Sequence, residues 1–167
     1  KLAYQPLFSI IVPLYKTPLN FFRDMADSVI AQTYSNWELI LVNSTPDYDG
    51  LSDLVSEYVT ADSRIKVTDL EGNLGITENT NVGIKMAKGD YLCFFDHDDV
   101  LEPNILFEYA HALNQNSDIN LLYCDEDKLL PDGSLAHPTF KPDFSLDMAR
   151  DNNYICHLLT VKRACLD

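Results

Sequence analysis

Four consecutive residues that follow an apolar run, Asp96-His97-Asp98-Asp99, carry side chains suited to chemistry. In an extended chain the two-residue period places Asp96 and Asp98 on one side and Asp99 on the other. Two carboxylates about 4 Å apart repel by roughly 4 kcal/mol at an effective dielectric constant near 20, so a proton or a cation must offset the repulsion. Hard oxygen ligands favour magnesium or manganese. The pattern predicts a metal site at Asp96 and Asp98, with a solvated acidic turn as the alternative.

Polar residues also follow two other apolar runs. Asn43 comes directly after Val42, and Asp125 comes directly after Cys124. In open sheets built from alternating strands and helices, ligands bind beyond the carboxyl ends of the strands. A turn or a helix cap would explain any one of these residues alone. Together with Asp96 they favour a binding site at one edge of a sheet.

The elements that must position these residues alternate along the chain. Short runs rich in β-branched and aromatic residues alternate with segments of helical period, which predicts the α/β class with a mostly parallel sheet flanked by helices. We predict strands at 8–12, 38–42, 65–68, 91–95 and 121–124, and a last strand-like run at 154–161.

The helical segments carry apolar stripes that core packing explains. The predicted helices comprise one with Phe22, Met25 and Val29 on one face, two at about 51–59 and 76–87, and one after Pro103 with Leu106, Tyr109 and Leu113. The turn at 131–134 predicts a hairpin that leads into a loop at 137–145.

Length and charge exclude several classes of protein. With 167 residues the chain is expected to form a single domain, 1–167. It has 12 basic and 26 acidic residues, a net charge of -14, which argues against nucleic acid or an anionic membrane surface as partner. The longest apolar stretch, Leu7 to Leu14, is far shorter than the roughly 20 residues of a membrane span, so we expect no transmembrane segment. An anionic ligand would need help from a cation.

Common nucleotide and hydrolase motifs are missing from the sequence. It has neither G-x-G-x-x-G nor G-x-x-x-x-G-K-[ST], and neither H-E-x-x-H nor G-x-S-x-G. A dinucleotide fingerprint and a P-loop are therefore unsupported.

An ordered series of segments resembles the inverting family 2 glycosyltransferases of GT-A fold, which move a sugar from a nucleoside-diphosphate sugar to an acceptor. The series comprises 9–15, 28–34, 37–42, 73–75, 81–83, 89–91 and the D-x-D motif at 96–98. Two later segments, 140–145 and 154–158, resemble bacterial members that build polysaccharides. The resemblance covers most of the chain.

The resemblance implies three groups of site residues. Those expected to bind the donor nucleotide are Pro13, Tyr15, Asn43, Asn73, Asn81 and Asp96. Those expected to hold manganese or magnesium against the diphosphate are Asp98 and Asp96. Those expected on the side of the donor sugar or the acceptor are Asp125, Asp127 and His157. Solvated acids and a half-buried structural histidine are the alternatives for the last group.

Two departures from the family pattern bear on the nucleotide. Asn43-Ser44 stands where the family has two aspartates, although an amide oxygen can still accept the bond from a pyrimidine N–H, and Asp47 or Asp49 could reach in. We expect UDP or dTDP to be preferred over GDP. Thr80 stands where the family has an arginine, so the metal would carry more of the phosphate charge.

The resemblance implies a metal-dependent inverting glycosyltransferase that acts on a glycan or a lipid-linked acceptor in building a bacterial cell-envelope polysaccharide. We expect it in the cytoplasm, either free or peripheral at the inner face of the membrane. The family's catalytic base is expected beyond Asp167, so this chain would be the N-terminal, donor-binding part of a longer one, truncated at its C-terminus, and would transfer sugar at background rate. A nucleotide- and metal-binding fragment without turnover is the alternative, and a receiver-like signalling domain is a second one.

Overall fold

The computed structural model describes residues 2–48 and 50–166. Strands and helices alternate through its first two thirds. In chain order the elements are β1 (Phe8–Leu14), α1 (Leu19–Ile30), β2 (Trp37–Asn43), α2 (Leu51–Ala61), β3 (Ile65–Asp69), α3 (Ile76–Met86), β4 (Tyr91–Phe94), α4 (Ile105–Gln115), β5 (Leu121–Leu122), β6 (Glu126–Leu129), β7 (Leu135–Thr139), α5 (Leu146–Asp151) and β8 (Leu159–Lys162).

The main sheet has six strands in the order β3-β2-β1-β4-β8-β5. The pairs β1–β2, β1–β4 and β2–β3 are parallel, and β8 runs antiparallel to both of its neighbours. The strands β2, β4 and β5 therefore run in the same direction, and their carboxyl ends lie at one edge. The predicted α/β class with a mostly parallel sheet flanked by helices is confirmed.

Helices cover both faces of the sheet because the side chains of β1 alternate between two apolar cores. Ile10 and Val12 pack in one cluster with residues of α1, α2 and α4, whereas Ile11 packs in the other with residues of α3. A Cβ added at Gly83 in α3 would lie 2.4 Å from Ile11 Cγ2, so glycine at this position permits the close approach of α3 to the sheet.

Helix α1 illustrates how the sequence dictates this packing. It begins after Pro18, and its residues Phe22, Met25 and Val29 are fully buried on one face. Their spacing of three and four residues places them on a single stripe, as predicted.

A buried carboxylate connects the parallel strands at the amino end of the sheet. Glu38 in β2 accepts hydrogen bonds from Ser9 Oγ (2.6 Å) and Lys88 N (2.6 Å), and it pairs with Lys66 of β3. Burial alone would raise the pKa of Glu38, but these donors together hold the pKa below its ordinary value. Glu38 is therefore a structural residue at the edge opposite to the polar strand tips.

The chain from Leu121 to Leu158 departs from the predicted elements. The predicted strand at 121–124 covers only Leu121–Leu122, and the predicted strand-like run at 154–161 is irregular until β8 begins at Leu159. The predicted hairpin exists as β6 and β7, but residues 137–139 of the predicted loop belong to β7. These corrections concern short strands that lack a clear apolar period, and of these β6 and β7 are largely exposed. In the part of the chain that the structure describes, no helix has the length and apolar character needed to cross a membrane.

Candidate functional site

The acidic motif lies just beyond the carboxyl end of β4 and turns instead of continuing the strand. The strand ends at Phe94, and the backbone N–H of Asp99 donates to the carbonyl oxygen of Asp96 at 3.4 Å. The two-residue alternation expected of an extended chain is therefore wrong here. The turn at His97 and Asp98 brings Asp99, not Asp98, beside Asp96.

His157, two residues before β8 begins, lies close to both of these carboxylates. Its Nδ1 lies 3.3 Å from Asp99 Oδ2 and 3.7 Å from Asp96 Oδ2. One potential ligand atom from each of Asp96, Asp99 and His157 lies within 4.8 Å of the others, and all three residues are half-buried. We call these three residues the Asp–His cluster. The neighbouring Asp98 is exposed and lies outside this group, so its role as a metal ligand stays a prediction.

The carboxylate of Asp99 is in an unfavourable place for a negative charge. Burial raises its pKa, His157 lowers it, and the nearby charges of Asp96, Asp98 and Glu126 raise it further. Its Oδ2 is buried, and no donor among residues 2–48 and 50–166 makes a well-directed hydrogen bond to it. A buried carboxylate oxygen that lacks a well-directed donor and has other acids nearby is a position that a cation would stabilise.

The predicted residues Asp125 and His157 are connected through a lysine. Asp125 Oδ1 accepts the backbone N–H of Lys141 at 2.7 Å, and Lys141 Nζ lies 2.6 Å from the carbonyl oxygen of His157. Asp127 lies in β6 and is exposed. Asp125 is thus linked to the His157 backbone indirectly, through Lys141. The roles of Asp125 and Asp127 toward a sugar or an acceptor stay predictions.

The ends of β1 and β2 are held together at the same edge of the sheet. Ser44 N donates to Leu14 O at 3.0 Å, and Lys16 N donates to Thr45 Oγ1 at 2.8 Å. Tyr15 is 45% exposed, and Lys16 Nζ lies 5.4 Å from the centre of its ring. An exposed aromatic ring can stack on another planar ring, and the ammonium group beside it can attract an anion. Pro13, at half exposure, precedes this pair in β1.

Asn43 differs from its expected environment because its side chain is fully buried. Its Nδ2 donates to Asp69 Oδ1 at 2.8 Å and to Ser52 Oγ at 3.3 Å, and its Oδ1 accepts from Thr45 N at 3.1 Å. The amide thus fixes the carboxylate of Asp69 at the end of β3. Contact between Asn43 and a base stays a prediction, and Asp49 lies outside the described residues.

The loop before α3 is organised by two asparagines. Asn73 Oδ1 accepts from Gly75 N and from Asn79 Nδ2, both at 2.9 Å, while Asn79 Oδ1 accepts from Leu74 N at 3.3 Å. Gly75 has φ of +92°, which favours glycine at this turn. Asn81 is half-buried on α3. The two predicted asparagines flank the buried Asn79, which orders the loop.

Sequence reasoning missed three residues of this site: Asp99, Asn79 and Lys141. Asp99 was placed on the wrong side because the turn after Phe95 leaves no mark in a two-residue pattern. Asn79 lies between the two asparagines that the motif pointed to. Lys141 lies in the segment 140–145 that was singled out, and a lysine between an exposed phenylalanine and a proline gives no sign of burial.

Comparison with known proteins identifies similar chains. The sequence profile described as "Glycosyl transferase family 2" matches residues 9–135. An uncharacterized protein, y4gI, of Sinorhizobium fredii is 34% identical over 95% of this chain and 17% of its own length. The O-antigen biosynthesis protein RfbC of Myxococcus xanthus is also 34% identical, over 99% of this chain and 13% of its own length. The chain thus spans less than a fifth of either relative.

Solved structures share the fold. S. aureus TarS in complex with UDP superposes with a TM-score of 0.76 over 95% of this chain and 47% of that one, at 22% identity. A mannosyltransferase of Pyrobaculum calidifontis in complex with GDP-Man and Mn²⁺ superposes with a TM-score of 0.62 over 73% of this chain and 36% of that one, at 20% identity. At these identities the likeness concerns the fold, which is the expected GT-A fold.

Proposed function

Because this chain belongs to glycosyl transferase family 2, we propose that it binds a nucleoside-diphosphate sugar together with a divalent ion at the carboxyl edge of its sheet. The observation that carries this proposal is the Asp–His cluster, in which the buried Oδ2 of Asp99 lacks a well-directed donor among the described residues. The bound donor would serve a glycosyl transfer that inverts the anomeric configuration.

The residues of the cluster suit manganese or magnesium. Carboxylate oxygens are the ligands that these hard ions prefer, and an imidazole nitrogen is a common ligand of first-row transition metals, the series to which manganese belongs. We propose that Asp96, Asp99 and His157 hold the ion, with Asp98 as an additional carboxylate in electrostatic range of Asp99. When bound, a divalent ion supplies positive charge that stabilises a departing diphosphate. This cation would allow a protein of net charge -14 to hold an anionic donor.

The chain's own residues would orient the donor around this cluster. Tyr15 and Pro13 would line the base, with Lys16 near the phosphates, and Asp96 would also contact the ribose. Asn43 would act on the base through its neighbour Asp69, whose carboxylate it fixes. The loop of Asn73 and the half-buried Asn81 would line the nucleotide on the α3 side.

More specific proposals concern the nucleotide, the acceptor and the cellular location. Since TarS structures hold UDP and UDP-GlcNAc while the mannosyltransferase holds GDP-Man, the family's fold accommodates either base. We propose a uridine or thymidine diphosphate donor. Asp125 and Asp127 would lie toward the donor sugar or a glycan or lipid-linked acceptor. The setting would be the cytoplasm, at or near the inner face of the membrane, in cell-envelope polysaccharide synthesis.

Calorimetric titration tests the metal and the base together. UDP, dTDP and GDP are titrated into the chain with and without Mn²⁺, and we expect manganese-dependent binding with UDP or dTDP tighter than GDP. Asp99→Asn and Asp98→Asn separate the two ligand sets, with Asp53→Asn, an exposed acid on α2, as the charge-matched control. We expect Asp99→Asn to weaken binding by more than about tenfold, which is already the loss typical of an outer-shell metal partner.

Unchanged affinity in Asp99→Asn would remove this residue from the metal site, and loss in Asp98→Asn alone would restore the D-x-D assignment. Binding that ignores manganese would reject the metal. A nucleotide-release assay with UDP-GlcNAc and a glycan acceptor then separates an enzyme from a module that binds without turnover.

A further inference from the structure

Lys141 is a buried lysine whose contacts lie beneath the Asp–His cluster. Its side chain is 2% exposed, and its Nζ lies 2.6 Å from the carbonyl oxygens of Ile155 and His157 and 2.9 Å from Glu126 Oε2. An ammonium group has three protons, so these three acceptors use all of them. Lys141 therefore has no donor left for a substrate phosphate.

The two carbonyl acceptors belong to a segment without regular structure. Residues 152–158 lie between α5 and β8 and form neither helix nor strand, so their backbone groups lack the partners that a sheet would provide. An unpaired buried carbonyl destabilises the folded state, and a charged donor forms the stronger type of hydrogen bond. Lys141 donates to backbone carbonyl groups of this segment, as the N–H groups of a neighbouring strand would in a sheet.

The far end of the same segment is held by the core. Tyr109 Oη donates to Leu158 O at 3.0 Å, and Leu158 N donates to Cys124 Sγ at 3.4 Å. His157 thus lies between an anchor in the core and the contact with Lys141. The position of its backbone is defined from both sides, and its imidazole extends to Asp99 at 3.3 Å.

We propose that Lys141 is a positioning residue: by binding the carbonyl oxygens of Ile155 and His157 it holds the backbone from which the His157 imidazole reaches Asp99 and Asp96. Its effect on metal and donor binding rests on the function proposed above, whereas its effect on the segment does not. Outer partners that orient a ligand commonly change metal affinity by about ten- to a hundredfold.

A plain electrostatic role is the rival explanation, because any lysine lost from an acidic protein changes its affinity for cations. Lys128 in β6 provides the matched control, since it is an exposed lysine of the hairpin that precedes Lys141. Removal of either lysine changes the net charge by the same amount, but Lys141 is the one of the two lysines that donates to the carbonyl oxygen of His157, which also accepts from Cys124 Sγ at 3.8 Å.

The experiment compares Lys141→Met, Lys141→Arg and Lys128→Met with the unaltered chain. Hydrogen–deuterium exchange of residues 153–158 without metal reports the segment, and Mn²⁺-induced broadening of the His157 imidazole resonance reports the cluster. We expect Lys141→Met to accelerate exchange in 153–158 and to raise the Mn²⁺ dissociation constant, each by about tenfold. Lys141→Arg should recover part of both effects because it keeps the charge and the donors, and Lys128→Met should change neither.

Unchanged exchange of 153–158 in Lys141→Met would overturn the proposal, whatever happens to the metal. Equal loss of Mn²⁺ affinity in Lys128→Met would show that Lys141 affects metal binding through its charge alone, and would overturn the positioning role toward the metal. Cooperative melting of the whole Lys141→Met chain at the assay temperature would make Lys141 a general structural residue and also overturn the local role. If the unaltered chain takes up no Mn²⁺, the proposed metal site fails, and the exchange data alone decide whether Lys141 positions the segment.

Discussion

The parallel strands and the segment at 123–158 are stabilised in different ways. In β1 the side chains of Phe8, Ile10 and Ile11 have no exposed area, whereas Phe140 and Phe144 of the later segment are 79% and 58% exposed. None of the six residues of α5, all of which the structure describes, is buried. The strands are held by apolar burial and the later segment by a few polar contacts centred on Lys141. The candidate site needs both, because the aspartates follow the first region and His157 ends the second.

The largest difference in free energy of unfolding is expected when the same substitution, leucine to alanine, is made in each of the two regions. Leu41 in β2 is fully buried and Leu135 in β7 is 58% exposed. Leu41→Ala should lower the free energy of unfolding by about 3 kcal/mol, the middle of the range for buried leucines. Leu135→Ala should change it by less than about 0.5 kcal/mol, as exposed sites do. Urea denaturation measures both, and similar losses would contradict the contrast between the regions.

Substitution of a buried polar residue in the first region should lower the free energy of unfolding by a similar, slightly smaller amount. Glu38→Gln removes the charge that Ser9, Lys66 and Lys88 N share, and we expect a loss of about 2 kcal/mol at pH 7. Because the folded-state pKa of Glu38 is lowered, its contribution is present above the ordinary carboxyl pKa and disappears as the pH falls through the lowered value. Denaturation curves of the two proteins should therefore converge in acid. Glu57→Gln, an exposed acid on α2, should show no such trend.

Local opening should be easier in the hairpin than in the sheet. Amides of β6 and β7 should exchange with deuterium at least about tenfold faster than those of β1 and β4, after correction for intrinsic rates, because few buried apolar contacts oppose opening there. Native-state exchange resolved by residue gives the comparison directly. Equal protection would mean that the later segment unfolds only with the whole chain.

The smallest effect should have the opposite sign. Asp99→Asn should stabilise the metal-free chain by less than about 1 kcal/mol, since the carboxylate is partly solvated and charge repulsion is screened. The folded-state pKa of Asp99 is raised, so the wild type is favoured by protonation at low pH and loses this stability as the pH rises through the raised value. The advantage of Asp99→Asn should grow over that range in thermal melts and vanish in Mn²⁺, which stabilises only a chain that binds it.

The same contrast explains what could be predicted from the sequence. The four parallel strands and α1 to α4 could be predicted from their apolar residues. Burial of each helix against the sheet requires a regular spacing of apolar side chains, as in Phe22, Met25 and Val29 of α1. Asp96 was predicted from its place after an apolar strand, and His157 from the resemblance to a family. The position of Asp99 depends on the turn after Phe95, and the role of Lys141 depends on three acceptors in two separate segments. Neither leaves a periodic pattern, because such contacts arise from tertiary structure.

The place of β8 in the sheet bears on how the protein folds during synthesis. Because β8 inserts between β4 and β5, the edge strand β5 emerges from the ribosome well before the strand it pairs with. The parallel array of β1 to β4 contains only earlier residues and can assemble while the rest is still being translated. His157 lies two residues before this late strand. The Asp–His cluster therefore forms only after β8 has been translated and has paired with β4, so a nascent chain would bring His157 beside Asp96 and Asp99 later than it assembles β1 to β4.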